Sequence, residues 1–213
     1  MRRNADRRIC DLALSARKPP FATAIARLQR ELRSAGVALR PYFYLSNEYG
    51  CVVRTANIGL LWSDALKPRQ PETLMRILRH ETGHAFCYAH RLYRRRDFRA
   101  LFKVRGDFFR TYPDAGWHPS PADEKRLKDG DHVNVRCLKH PDEDFAITFQ
   151  TFLNPDEDWR RRWRHAPGVM RKLEFVEAMA ARYGPVVISG DGKNLDVPIE
   201  ELTMTVGTWF RKP

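Results

Sequence analysis

The chain has 213 residues, 43% hydrophobic and 11% aromatic, which suits one large packed domain and excludes a disordered chain. No apolar run approaches the roughly 20 residues of a membrane span, and the basic start, Met1-Arg2-Arg3 through Ile9-Cys10, has no apolar region behind it and so is not a secretory signal. Cys10, Cys51, Cys87 and Cys137 are scattered without a CxxC pair, which excludes a cysteine zinc ribbon within the chain and points to free thiols in a reducing cytoplasm.

In chain order, residues 1–18 read as a basic, partly disordered arm, and 19–213 as a single domain, sheet-containing to about residue 93 and mostly helical from about 94. Phe21 to Ala35 carries apolar residues at Phe21, Ile25, Leu28 and Leu32 and is stopped by Gly36; that spacing predicts a helix. Val37 to Leu45, Cys51 to Thr55 and Asn57 to Trp62 are rich in aliphatic and aromatic residues and broken by Asn47 and Gly50. They predict strands of a small, largely antiparallel sheet, in which Asn57 to Trp62 is either a candidate edge for pairing with an extended peptide or simply an interior strand.

A long helix follows over Glu72 to Tyr93, entered at Pro71 and striped by Leu74, Ile77, Leu78, Ala85, Tyr88 and Leu92. Within it lies His80-Glu81-Thr82-Gly83-His84. With 7 His and 11 Glu in the chain, chance alone gives an HExxH spacing in roughly 1 sequence in 100, so the helical context is what gives the motif weight. Histidines four apart sit one turn above each other, so both imidazoles can reach one Zn²⁺, and Glu81 can take a proton from the attacking water. The plain alternative is two core histidines beside a paired glutamate. That would leave several buried polar groups to satisfy.

A catalytic zinc needs a third protein ligand and an open position. His90 has the metzincin spacing, but Cys87 stands where that motif needs the glycine that turns the chain back. A continuing helix would carry His90 about 240° around and ~9 Å along from His84. Glu143, in His140-Pro141-Asp142-Glu143-Asp144-Phe145-Ala146-Ile147-Thr148-Phe149, is the better candidate, since it opens a second helix running from Pro141 to Leu153. Asp144 is its rival, about 100° away, and can instead serve the helix terminus or a bond to a ligand histidine. A short helix around Asp97 to Lys103, a Pro/Gly-rich segment from Tyr112 to Asp131 that is loop or carries only brief helix, a helix from Pro167 to Tyr183, an extended Val186 to Val197 and a helix over Ile199 to Phe210 complete the pass.

Net charge is +12, from 38 Lys+Arg (29 of them Arg) against 26 Asp+Glu. Arg91, Arg94, Arg95, Arg96 and Arg99 form one cluster. Arg160, Arg161, Arg162 and Arg164 form another around Trp163, with Trp159 just before it. Such residues could bind nucleic acid through phosphate neutralisation and stacking, but no nucleic-acid-binding motif accompanies them, and a solvated arginine-rich surface is the plainer reading.

Leu78-Arg79-His80-Glu81-Thr82-Gly83-His84-Ala85 followed by His140-Pro141-Asp142-Glu143-Asp144-Phe145-Ala146 resembles a bacterial family of zinc-binding metallopeptidases, with ligand helices similar to the gluzincin anthrax lethal factor. The resemblance runs from the first strands to about Tyr183. It implies a zincin-like α+β fold, zinc held by His80, His84 and Glu143, Glu81 as general base, and a peptide or protein substrate. Two positions depart from it. Ile147 replaces a glutamate expected to support the site, and Arg136 stands where a tyrosine would serve as oxyanion donor; His132, His118 and Tyr112 are the other candidates for that contact. These departures keep open a second reading, a catalytically weakened zinc-binding module acting in protein or nucleic-acid binding. Oligomeric state is not legible.

Overall fold

The computed structural model describes residues 4–113 and 116–211. Its organising feature is a close crossing of two helices, α2 (Pro71–Ala89) and α5 (Pro141–Leu153). Both begin with proline at the first helical position, where the missing N–H costs nothing. In α5, His140 is the N-cap and its Nδ1 accepts from the Asp142 amide at 3.1 Å. The helices meet at Gly83, where an added Cβ would lie 2.9 Å from Ala146 Cα; only a residue without a side chain allows this approach. Phe86, Phe145 and Phe149 are fully buried around it, each contributing roughly 1.5–3 kcal/mol of burial.

Helix α1 (Phe21–Ser34) docks on α2 through a buried ion pair in which Arg79 Nε and Nη2 reach both oxygens of Glu31, at 2.8 and 2.7 Å. Helix α7 (Pro167–Tyr183) packs on the other side of α5. Short helices α3 (Arg96–Leu101), α4 (Pro121–Leu127), α6 (Trp159–Trp163) and α8 (Val206–Phe210) fill the connections. The capping box of Ser120 with Asp123 starts α4, the brief helix that the segment from Tyr112 to Asp131 leaves room for. Helix α2 ends four residues before the expected Tyr93, because Arg91 takes a left-handed conformation (φ 51°) that turns the chain.

The strands are β1 (Leu39–Arg40), β2 (Tyr42–Ser46), β3 (Gly50–Cys51), β4 (Asn57–Leu61) and β5 (Ile188–Ser189). The architecture is α+β with a small sheet, but the largely antiparallel pairing expected from the sequence is wrong. β2 and β4 pair in parallel from Tyr42↔Asn57 to Ser46↔Leu61, β1 and β5 are also parallel, and only the two-residue β3 pairs antiparallel with β4. Two reversals, after Ser46 and after Cys51, bring β4 back in the direction of β2 and insert it between β2 and β3. β4 is therefore the central strand and not the edge, consistent with Asn57, Ile58 and Leu60 all being fully buried.

The expected loose arm is also corrected. Met1–Arg3 lie outside the described residues, but the chain from residue 4 is anchored by Ile9, fully buried, and Leu12. It bonds along the C-terminal segment: Ile9 N to Met204 O, Cys10 N to Leu202 O, and Val206 N to Arg7 O, each 3.0 Å. The expected C-terminal helix is split into a 3-10 turn, Ile199–Glu201, and α8. Among the described residues, no helix is long and apolar enough to cross a membrane.

Candidate metal centre

Helix periodicity stacks His80 and His84 on one side of α2, and the crossing at Gly83 carries the first turn of α5 over them. His80 Nε2 lies 3.2 Å from His84 Nε2 and 3.3 Å from Glu143 Oε2. All three potential ligand atoms fall within 4.8 Å of one another. For a tetrahedral ion with ligands at about 2.0–2.1 Å, neighbouring ligand atoms stand about 3.3–3.4 Å apart. The two separations from His80 match that edge, while His84 and Glu143 stand farther from each other but within 4.8 Å; two imidazoles with one carboxylate are a donor set suited to zinc. His80 and Glu143 keep 19% and 17% of their side-chain surface exposed, against 7% for His84. The centre thus has one open side.

Glu81 is 8% exposed and, among the described residues, its carboxylate makes neither a hydrogen bond nor an ion pair. Neither of its oxygens is sealed from solvent without a partner. An unpaired carboxylate with a narrow path to water, one residue after His80, could exchange a proton with a water.

Behind His84 lies a feature that the sequence reasoning missed. Asp142 is fully buried, and its Oδ2 is 3.1 Å from His84 Nδ1, a short but obliquely aligned contact. The same oxygen accepts hydrogen bonds from the hydroxyls of Tyr88 and, at 2.9 Å, Tyr112. Burial alone would lower the His84 pKa, but the charge of Asp142 beside it, with those of Glu81 and Glu143, outweighs this and raises it to about 9 in the metal-free protein. Burial likewise opposes ionisation of Glu143, yet contact with His80 and the neighbouring His84 and Lys139 hold its pKa down to about 2. For Tyr88 and Tyr112, burial first and then the Asp142 charge push the phenol pKa far upward, so both remain donors.

Asp144 touches neither His80 nor His84. With His132 and Cys137 it forms a second buried group whose potential ligand atoms also lie within 4.8 Å of one another. That group already holds a cation. Lys172 is 3% exposed, and its ammonium bonds Asp144 Oδ2 at 2.6 Å, Asp131 O at 2.6 Å and His132 Nδ1 at 3.2 Å, which uses all three of its donors. Burial and the Asp144 charge push the Cys137 thiol well upward, away from the thiolate that binds metal. The ammonium stands where an ion would.

The remaining candidates disperse. His90 caps the end of α2 and stacks on Tyr183 (ring centroids 5.4 Å, 25°), outside the centre. Arg136 is exposed on a 3-10 turn, Val135–Leu138, and His118 is exposed. His132 is committed to Lys172. Tyr112 alone among the oxyanion candidates bonds to a residue touching the triad. Ile147 is buried and supplies no carboxylate. A surface cavity of about 750 Å³ between α1, the end of α5 and α7 contains none of these residues. No protein-family model matches the chain, and no curated protein or solved structure matches it.

Proposed function

We propose that the chain is a zinc-dependent, zincin-like metallopeptidase. The observation that carries this reading is the 3.2 and 3.3 Å spacing of His80 Nε2, His84 Nε2 and Glu143 Oε2, beside the unpaired carboxylate of Glu81. Zinc at this tripod would polarise a scissile carbonyl and make a water acidic near neutral pH. Glu81 would accept the proton of the attacking water and deliver it to the leaving amine. His84 is oriented from behind by Asp142, and the exposed sides of His80 and Glu143 leave room for an extended peptide.

The alternative, a zinc-holding module recruited to nucleic acid, has less support. Aromatic faces that would stack on bases are covered by the chain's own guanidinium groups: Arg160 over Trp159 at 4.1 Å and Arg162 over Trp163 at 5.3 Å. Those arginines are also paired with Glu177 and Glu157.

The test is Glu81→Gln in zinc-loaded protein, assayed on a quenched fluorescent peptide library. The variant should retain one zinc per chain and lose about 10²–10⁴-fold in cleavage. Full activity in the variant, or a wild-type chain that takes up no zinc, would refute the proposal.

A further inference from the structure

We infer that Asp142 is a positioning residue of this centre, fixing His84 for the ion and supplying the charge that Ile147 cannot. The inference rests on the metal-binding part of the reading above, and nothing in the HExxH motif or its third ligand calls for it.

A histidine that ligates through Nε2 carries its proton on Nδ1, and the partner of that proton sets both the tautomer and the ring plane. His84 has its Nε2 turned to His80 and its Nδ1 to Asp142. Nε2 therefore faces the tripod, and Nδ1 stands 3.1 Å from the carboxylate in an oblique contact. An aspartate in the first turn of a helix ordinarily faces solvent and answers the helix dipole. Asp142 instead turns its side chain into α2, with no surface exposed.

Two phenols hold it there. Tyr88 comes from α2, one turn after His84, with its ring 6.1 Å from the His84 ring. Tyr112 comes from the segment between α3 and α4, where its ring stacks on His140 at 3.9 Å and Thr111 Oγ1 lies 3.0 Å from His140 Nε2. Because both hydroxyls donate to Oδ2, the carboxylate cannot rotate away from His84 without breaking two hydrogen bonds. Asp142 Oδ1 has no partner, so the whole arrangement is organised around the one oxygen that faces the imidazole.

The expected consequence is slow zinc release. Zinc-loaded wild-type protein and the variants Asp142→Asn, Tyr88→Phe and Tyr112→Phe would be mixed with excess chromophoric chelator at one pH. The release rate reads the bound state directly and is not confounded by proton competition in the metal-free form. Asp142→Asn should release zinc about 10–100-fold faster, and each phenylalanine variant about twofold to tenfold faster. The cobalt-substituted Asp142→Asn protein should also show a changed visible d–d spectrum, which a purely structural aspartate would not alter.

Folded Asp142→Asn that releases zinc at the wild-type rate with an unchanged cobalt spectrum would overturn the inference while leaving the peptidase reading intact. Should that variant fail to fold, the Tyr88→Phe/Tyr112→Phe double variant decides, since wild-type release there overturns it equally. A wild-type chain that takes up no zinc would overturn both.

Discussion

Replacing Gly83 with alanine asks whether the two ligand-bearing helices must touch. The new Cβ would meet Ala146 Cα at 2.9 Å, Ala146 O at 3.0 Å and Phe149 Cβ at 3.1 Å. Two of these are backbone atoms, so no rotamer change relieves them. Ordinary carbon contacts lie near 3.5–4.0 Å, so α2 and α5 must part by on the order of 0.5–1 Å. Overpacking of this kind costs about 1–3 kcal/mol, and the better helix propensity of alanine returns about 1 kcal/mol. The net loss is then about 0–2 kcal/mol, or a melting point lower by up to roughly 8 °C for a chain of this size. Metal binding should suffer more than stability does. Glu143 lies one turn before Ala146 and moves with it, whereas ligand distances tolerate only about ±0.2 Å. Zinc affinity, measured by chelator competition, should fall by about tenfold, as when a ligand's orienting groups are disturbed. A Gly83→Ala protein that binds zinc as tightly as wild type and melts no lower would show that the crossing does not set the centre.

Zinc uptake at pH 7.5 should release close to one proton from His84, whose metal-free pKa is about 9; titration calorimetry in buffers of different ionisation enthalpy would detect it, and uptake without release would refute the assignment. Since that pKa is raised above the ordinary 6.5, the group stabilises the metal-free fold fully below pH 6.5, and this contribution is lost as pH rises toward 9. The metal-free melting point should fall across that window. Lys172→Met should destabilise by about 3–5 kcal/mol in urea unfolding, because it strands the Asp144 charge, and adding Asp144→Asn should recover part of the loss; an unchanged stability would contradict the network. His90→Ala should keep wild-type zinc affinity while losing its stacking on Tyr183, and a zinc-free product would return His90 to the ligand set.

The helices were legible because their signals are local. Pro141 and Pro167 open helices whose observed ends, Leu153 and Tyr183, agree with the residues expected from Asn154-Pro155 and Gly184-Pro185. The convergence of Glu143 on His80 was also anticipated, since it follows from helix faces. Strand order was not, because the insertion of β4 between β2 and β3 depends on two reversals that leave no periodicity. The arm failed for a different reason: one isoleucine and one leucine among basic residues make a weak apolar signal, and the backbone pairing with residues 202–207 is non-local. Asp142 has no role in a reading built on the HExxH motif and its third ligand. Its signal lay in the adjacent run of three carboxylates, which a dipole alone does not need.

That run explains why one carboxylate is available for an ion. Successive helical residues point about 100° apart, so Asp142, Glu143 and Asp144 leave α5 in three directions while sharing one turn. Three like charges so close need compensation. Asp142 finds it in His84 and two phenols, and Asp144 finds it in the Lys172 ammonium at 2.6 Å. Glu143 has only Lys139 at 3.6 Å on its Oε1, leaving Oε2 turned to His80 with no built-in cation. Of the two groups of potential ligands that meet at this helix turn, the chain has filled one with its own ammonium. The other keeps two imidazoles and a carboxylate oxygen within 4.8 Å of one another, and a divalent ion there would complete the charge balance of the turn.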